Sequence, residues 1–273
     1  MNIDKNKLTD LLRTERFPRS SKYDPEWVLE NQMGPNALWL TEWLCQKMDL
    51  KPGMRVLDMG CGKAMSSIFL AREFGVQVWA NDLWISADEN WQRIQKVGLE
   101  NQVYPIHAEA HNLPYAMDFF DAIVSSDSYQ YYGTDDLYFR YIRRLVRRGG
   151  QIGIVVPGLM KDITVPVPQH LTRPQQSGGS FWYEDCWSFH TVDWWRNHWA
   201  RSSSVNVETA DTLTEGWRWW LKFEKACVEA GTNVFSSEVE TLEADGGEYI
   251  GFVRMVASRK LDDGMEDDGR IDV

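Results

Sequence analysis

The chain has 273 residues, 43% of them hydrophobic, enough to fill the core of one large domain or of one domain with a lid. Its formal net charge is −11, of which residues 261–273 supply −5 through six acids against one arginine. An acidic body excludes a broad phosphate-binding face, which needs clustered Lys and Arg, and leaves room for a small or cationic partner.

Four cysteines, at positions 45, 61, 186 and 227, share no metal-ligand spacing with one another or with histidine. Neither a zinc site nor a disulfide framework is expected, and no metal is assigned. No apolar run is long enough to span a bilayer, and residues 1–20 are charged, which points to a cytoplasmic protein without membrane contact.

Residues 1–34 read as an arm, with Leu8, Leu11 and Leu12 enough for one helical turn. From Pro35 an apolar helix runs through Leu38, Trp39, Trp43, Leu44 and Met48, and Pro52-Gly53 turns the chain into a strand. The stretch 54–84 then reads as strand, glycine turn, helix and second strand, with Val56 and Leu57 in the first strand and Gly75 stopping the helix. Gly60 and Gly62 allow the backbone to approach a ligand where a Cβ would clash. Asp82 lies 20 residues beyond Gly62, the distance a helix and a strand need to return to the same sheet edge. A carboxylate there can grip two ribose hydroxyls, so the unit reads as a nucleoside-binding crossover.

A dinucleotide site asks for G-x-G-x-x-G facing a pyrophosphate, whereas here the pattern is Asp58-x-Gly60-x-Gly62 and Met65 takes the place of the third glycine. A carboxylate at the strand end suits a sulfonium or ammonium better than a phosphate. Downstream come Ala108-Glu109-Ala110, then Leu113-Pro114-Tyr115, and then a strand running from Phe120-Asp121-Ala122 to Ser126-Asp127. Together these elements resemble the class I S-adenosylmethionine (SAM) methyltransferases of small-molecule, cyclopropane-synthase-like type, over residues 35–157. Ala108 stands where that family usually has glycine, and Glu109 where it usually has aspartate.

The resemblance implies an α/β fold, a doubly wound, seven-stranded, mostly parallel Rossmann-like sheet with an antiparallel last strand. It implies SAM as cofactor, held by Asp58, Gly60, Cys61, Gly62, Asn81, Asp82, Leu83, Trp84, Glu109, Ala110 and Asp127. Asp82 takes the ribose, Glu109 the adenine amino group, and Leu83 or Trp84 an adenine face. The segment before the first strand would roof the pocket, with Tyr23, Trp27, Met33 and Asn36 as candidates. The expected body is 35–260, followed by an acidic disordered tail at 261–273.

Beyond Asp82, Ser86 caps a helix at 86–97 whose first turn carries Asp88 and Glu89. Strands follow at 103–108 and 121–126. A helix is expected at 135–148, with Arg143, Arg144, Arg147 and Arg148 opposing its C-terminal dipole, and a fifth strand at 151–156. Open parallel sheets bind ligands beyond the C-terminal ends of their strands, which brings Tyr129, Tyr131 and Tyr132 toward the acceptor. Residues 158–203 lose periodicity and read as a lid insertion.

Eight of the 14 tryptophans fall between Trp182 and Trp220, most of them on helices expected at 192–201 and 214–231. They line either a substrate chamber for a cationic or aromatic molecule, or a packing interface with the sheet. Strands at 205–210 and 249–258 complete the sheet. His190, Tyr23 and Tyr132 are the candidate catalytic residues, as base or orienters. Methyl transfer to a small molecule is the expected activity. Transfer to RNA or protein, and a non-catalytic SAM-binding role, remain as alternatives.

Overall fold

The computed structural model describes residues 5–262. The expected tail from 263 onward lies outside the described residues. Apolar runs form strands β1 (Arg55–Met59), β2 (Gln77–Asp82), β3 (Val103–His107), β4 (Phe120–Ser126), β5 (Val146–Leu159), β6 (Val205–Thr212) and β7 (Ile250–Arg259). They pair into one sheet in the order β3-β2-β1-β4-β5-β7-β6. The first five are parallel, and β7 runs antiparallel to both β5 and β6. This is the α/β sheet expected from the sequence, with its antiparallel strand inserted next to the edge.

Successive side chains of a strand point to opposite faces, so each central strand feeds two cores. Val56 of β1, Val124 of β4 and Phe252 of β7 enter one, together with Trp39, Phe69 and Phe223 from helices. Leu57, Ile123 and Val253 enter the other, together with Tyr138, Trp195 and Trp199. Both faces are therefore covered, which is why β1 and β4 read as continuous apolar runs instead of alternating ones.

Local signals set several boundaries as expected. The Met65–Phe74 helix ends at Gly75, and Ser86 with Glu89 forms a reciprocal capping box on the Ala87–Lys96 helix. Asn36 caps the Ala37–Cys45 helix, its side chain accepting from the backbone N–H of Leu38 and Trp39.

Three expectations change. Within the expected arm, residues 5–34 are built into the body: they carry the Lys5–Leu12 and Pro25–Asn31 helices, and Leu8 and Phe17 are fully buried in the first core. The helix expected at 135–148 is only Tyr138–Ile142 plus one tight turn, and β5 already begins at Val146. There Arg147 pairs with Asp121 at 2.6 Å, and Arg259 donates to the Val146 carbonyl at 2.6 Å, so these groups hold the segment in the sheet. Gly149 at φ +75° belongs to an irregular stretch where the β4–β5 register shifts.

The third change concerns the tryptophans. The Val192–Ala200 helix packs on β6 and β7, with Trp195 and Trp199 fully buried, so this part of the expected lid is a layer of the fold. The Gly216–Ala230 helix buries Trp220 and Phe223 on the opposite face. Trp195→Ala should destabilise the protein by about 3–5 kcal/mol in urea unfolding. The exposed Trp84→Ala should cost within about 0.5 kcal/mol. Equal effects for the two would contradict this division between core and surface.

Candidate active site

The strand order reverses between β1 and β4, and their C-terminal ends open a crevice. The loop leaving β1 is fastened at both ends of its turn to the end of β2. Gly60 and Cys61 donate to the Asn81 carbonyl at 2.9 and 3.0 Å, and Gly62 N–H donates to Asp82 Oδ2 at 2.8 Å. Asp82 Oδ1 accepts from the N–H groups of Trp84 and Ile85, both at 2.8 Å. One buried carboxylate thus holds the glycine elbow and the turn after β2 together. Gly60 sits at φ +67°, and a Cβ there would fall 1.9 Å from Ser128 Oγ, so the elbow requires glycine at this point.

A cavity occupies this crevice. Of the residues expected to hold a cofactor, Gly60, Cys61, Gly62, Asn81, Asp82, Leu83, Trp84, Glu109, Ala110 and Asp127 line it. Asp58 does not. It is fully buried beneath the floor, where Oδ2 accepts from Ser66 and Ser67 hydroxyls at 2.6 Å each, and Ser66 reaches the cavity in its place. Burial pushes the Asp58 carboxyl up to about 6, against the lowering effect of the two hydroxyls. Glu109 accepts from His111 Nδ1 at 2.7 Å, and this bond holds its carboxyl below the usual range.

Asn81 donates to the Ala108 carbonyl at 3.1 Å, while its Oδ1 is buried without a protein partner. Leu83 and Trp84 are exposed on the cavity rim. Among the described residues Lys63 is the one basic group in the lining, and its ammonium donates to the Glu30 carbonyl.

The three catalytic candidates part ways. Tyr132 lines the crevice, with its hydroxyl 3.1 Å from Ser128 Oγ and 3.2 Å from Ser125 Oγ. Tyr23 lies elsewhere, stacked on Trp27 at 5.6 Å and against Phe69 at 5.8 Å in the first core, because the Pro25–Asn31 helix draws it behind the Met65–Phe74 helix. His190 lines neither this cavity nor its neighbour. Its ring stacks on Trp194 at 3.6 Å, and its carbonyl accepts from Leu159 N–H, extending the sheet. Burial, and then the neighbouring His198, push its imidazole down to about 4, which leaves it neutral and weakly basic at pH 7. Of the roof candidates, Met33 lines the cavity, Asn36 serves as a helix cap, and Trp27 packs on Tyr23.

A second cavity of about 380 Å³ adjoins the first, sharing Met33, Pro35, Trp84, Asp127 and Tyr131. Its far wall comes from residues 178–189 and from the Gly216–Ala230 helix with the loop that follows it. Here the sequence reading missed Glu224 and Glu238. A signal existed for the first: Trp220, Phe223, Glu224 and Cys227 share one buried helical stripe, and a glutamate in such a stripe is out of place unless a cavity adjoins it. Asp127 lies at the junction, in the left-handed region at φ +56°.

A family model described as "Methyltransferase domain" matches residues 56–150. Methyltransferase GfsG of Streptomyces halstedii is 35% identical over 167 residues, 58% of this chain and 56% of its own length. Phosphoethanolamine N-methyltransferase 1 of Arabidopsis thaliana is 30% identical over 145 residues, 50% of this chain and 29% of its own length. The chain thus spans about half the length of the first of these relatives and less of the second. Among solved structures, Haemonchus contortus phosphoethanolamine N-methyltransferase 2 in complex with SAM superposes with a TM-score of 0.66 at 18% identity, over 93% of this chain and 60% of that one. The [4+2]-cyclase SpnF superposes at 0.63 and 16% identity, over 81% and 80%.

Because the folded-state Asp58 carboxyl is raised toward 6, its stabilising contribution is complete below the unfolded value near 4 and is lost as pH rises through 6. Asp58→Asn removes that loss. Its stability relative to the parent protein should climb by about 1–3 kcal/mol between pH 4 and pH 7 in urea unfolding. A difference that stays flat across this range would contradict the assignment.

Proposed function

We propose that residues 56–150 form a class I SAM-dependent methyltransferase domain and that the chain moves a methyl group from SAM to a small-molecule acceptor in the cytoplasm. The observation that carries this reading is the lining of the first cavity. Three carboxylates, Asp82, Glu109 and Asp127, face it, while the ammonium of Lys63 is turned to a backbone carbonyl. Such a lining repels a pyrophosphate and suits an adenosyl sulfonium. The buried, unpartnered Asn81 Oδ1 adds a free acceptor beside the elbow.

In this reading Asp82 holds the ribose hydroxyls, Leu83 and Trp84 cover an adenine face, and Glu109 with Ala110 meets the adenine edge. Gly60 leaves the space that the donor's remaining part requires. When bound, SAM supplies an electrophilic methyl group on a sulfonium. Asp58 beneath the floor and Asp127 at its edge add negative potential on the donor's side of the sheet. The second cavity receives the acceptor. Its shared wall of Met33, Trp84, Asp127 and Tyr131 brings an acceptor atom up to the donor and keeps water out, which is most of what an in-line displacement asks of a protein. Four buried, unpaired cysteines support a reducing compartment.

Calorimetric titration should give micromolar binding of SAM and S-adenosylhomocysteine and none of NADH; binding of NADH alone would overturn the reading. Asp82→Ala should weaken SAM by about 1–3 kcal/mol, since it removes a charged acceptor for two hydroxyls and releases the elbow. Methyl-labelled SAM offered with a small-metabolite panel should then yield a labelled small product and no labelled RNA or protein.

A further inference from the structure

The second cavity is lined by four carboxylates, Asp127, Asp185, Glu224 and Glu238, and, among the described residues, by no Lys, Arg or His. Buried carboxylates ordinarily find a cation, because a lone charge in a low-dielectric site is expensive. Asp185 is exposed, and among the described residues no cation is paired with Asp127, Glu224 or Glu238. Burial pushes Asp127 up to about 7 and Glu224 up to about 7. Glu238 rises well above the carboxylate range through burial, with the nearby Glu224 and Asp127 adding to it. The hydrogen bonds that Glu224 accepts, from Asn233 Nδ2 at 3.3 Å and Glu238 N–H at 3.5 Å, are long and come from neutral donors.

A second, separate observation comes from the aromatic wall. Trp220 lines the same cavity at 3% exposure, beside the Glu238 carboxyl. Phe181, Phe189, Tyr131 and Tyr183 complete a wall of rings whose faces attract a cation and whose bodies suit an apolar molecule. Among the described residues, no three of His, Cys, Asp or Glu converge as a metal site. Carboxyl groups facing a wall of rings suit a cation carried on an organic body.

Resting on the methyltransferase reading, we propose that the acceptor is an amine carried on an apolar or aromatic body without phosphate or carboxylate, and that the product is its N-methyl derivative. The acceptor enters as an ammonium held by Glu224 and Glu238. Asp127, the one carboxylate common to both cavities, takes a proton from the nitrogen. The freed lone pair then forms the C–N bond to the donor's methyl carbon as the C–S bond breaks and its electron pair stays on sulfur. The product leaves as a methylated ammonium, and the proton on Asp127 passes to solvent. One sulfonium charge is consumed and one proton released. An acceptor bearing a phosphate or carboxylate would meet four carboxyl groups and, among the described residues, no guanidinium or ammonium to receive it, and is rejected.

The test uses the full chain loaded with S-adenosylhomocysteine, titrated calorimetrically with arylalkyl amines, the matched alcohols and the matched carboxylates, 2-phenylethylamine, 2-phenylethanol and 3-phenylpropionate among them. The amines should bind at least tenfold tighter than the alcohols, and the carboxylates should not bind. Glu224→Gln and, separately, Glu238→Gln should each cut amine affinity about tenfold while leaving the alcohols and S-adenosylhomocysteine unchanged. With SAM in place of the product nucleoside, mass spectrometry should find the amine heavier by one methyl group. Alcohols or carboxylates that bind as well as the amines, absence of binding by all three classes, or glutamine variants with unaltered amine affinity would each overturn the proposal. The methyltransferase reading fails separately, through loss of S-adenosylhomocysteine binding itself.

Discussion

The Asp82 carboxylate is the constraint on which the rest of the site depends. Three backbone N–H groups, from Gly62, Trp84 and Ile85, converge on it at the end of β2. Hydrogen bonds to a charged acceptor are the stronger kind, and a buried carboxylate left without them would be costly. The glycine elbow after β1 therefore has one position relative to β2, and the crevice between β1 and β4 inherits its shape from that position. Asn81 works beside it through its backbone, whose carbonyl takes the Gly60 and Cys61 N–H groups.

Two cavities meet across a single wall of Met33, Pro35, Trp84, Asp127 and Tyr131. The likeness to a [4+2]-cyclase as well as to N-methyltransferases shows how little the fold alone says about the reaction. The far side of the second cavity lies outside the matched segment: it is built from the Gly216–Ala230 helix, the loop after it and residues 178–189, none of which falls within 56–150. The first cavity is held by short-range bonds within the crossover, whereas the second is assembled from distant parts of the chain.

The aromatic residues illustrate the same division. Trp195, Trp199 and Trp220 lie at helical spacing on two neighbouring stretches, and in sequence they form one cluster. In space the sheet separates them: Trp195 and Trp199 pack under β6 and β7, while Trp220 lies on the other face with its edge in the second cavity. Periodicity tells which side of a helix is apolar but not which face of the sheet that side meets. Tyr23 and His190 fell to the same ambiguity. Each looked available beside a ligand, and each is taken up by a neighbouring ring, Trp27 for the first and Trp194 for the second.

By itself the sequence determined the alternation of strands and helices, the glycine elbow, the acid at the end of β2 and the capping of the helices around them. Each of these rests on interactions between residues close in the chain, or on a spacing that one crossover imposes. It did not determine where β5 begins, because the Arg147–Asp121 pair and the Arg259–Val146 bond join segments far apart in the chain. Nor did it reveal that Asp58 lies beneath the floor, or that Glu224 and Glu238 face Asp127's cavity. Burial and proximity are properties of the packed whole, and only tertiary structure decided which carboxylates would share one enclosed space without a cation.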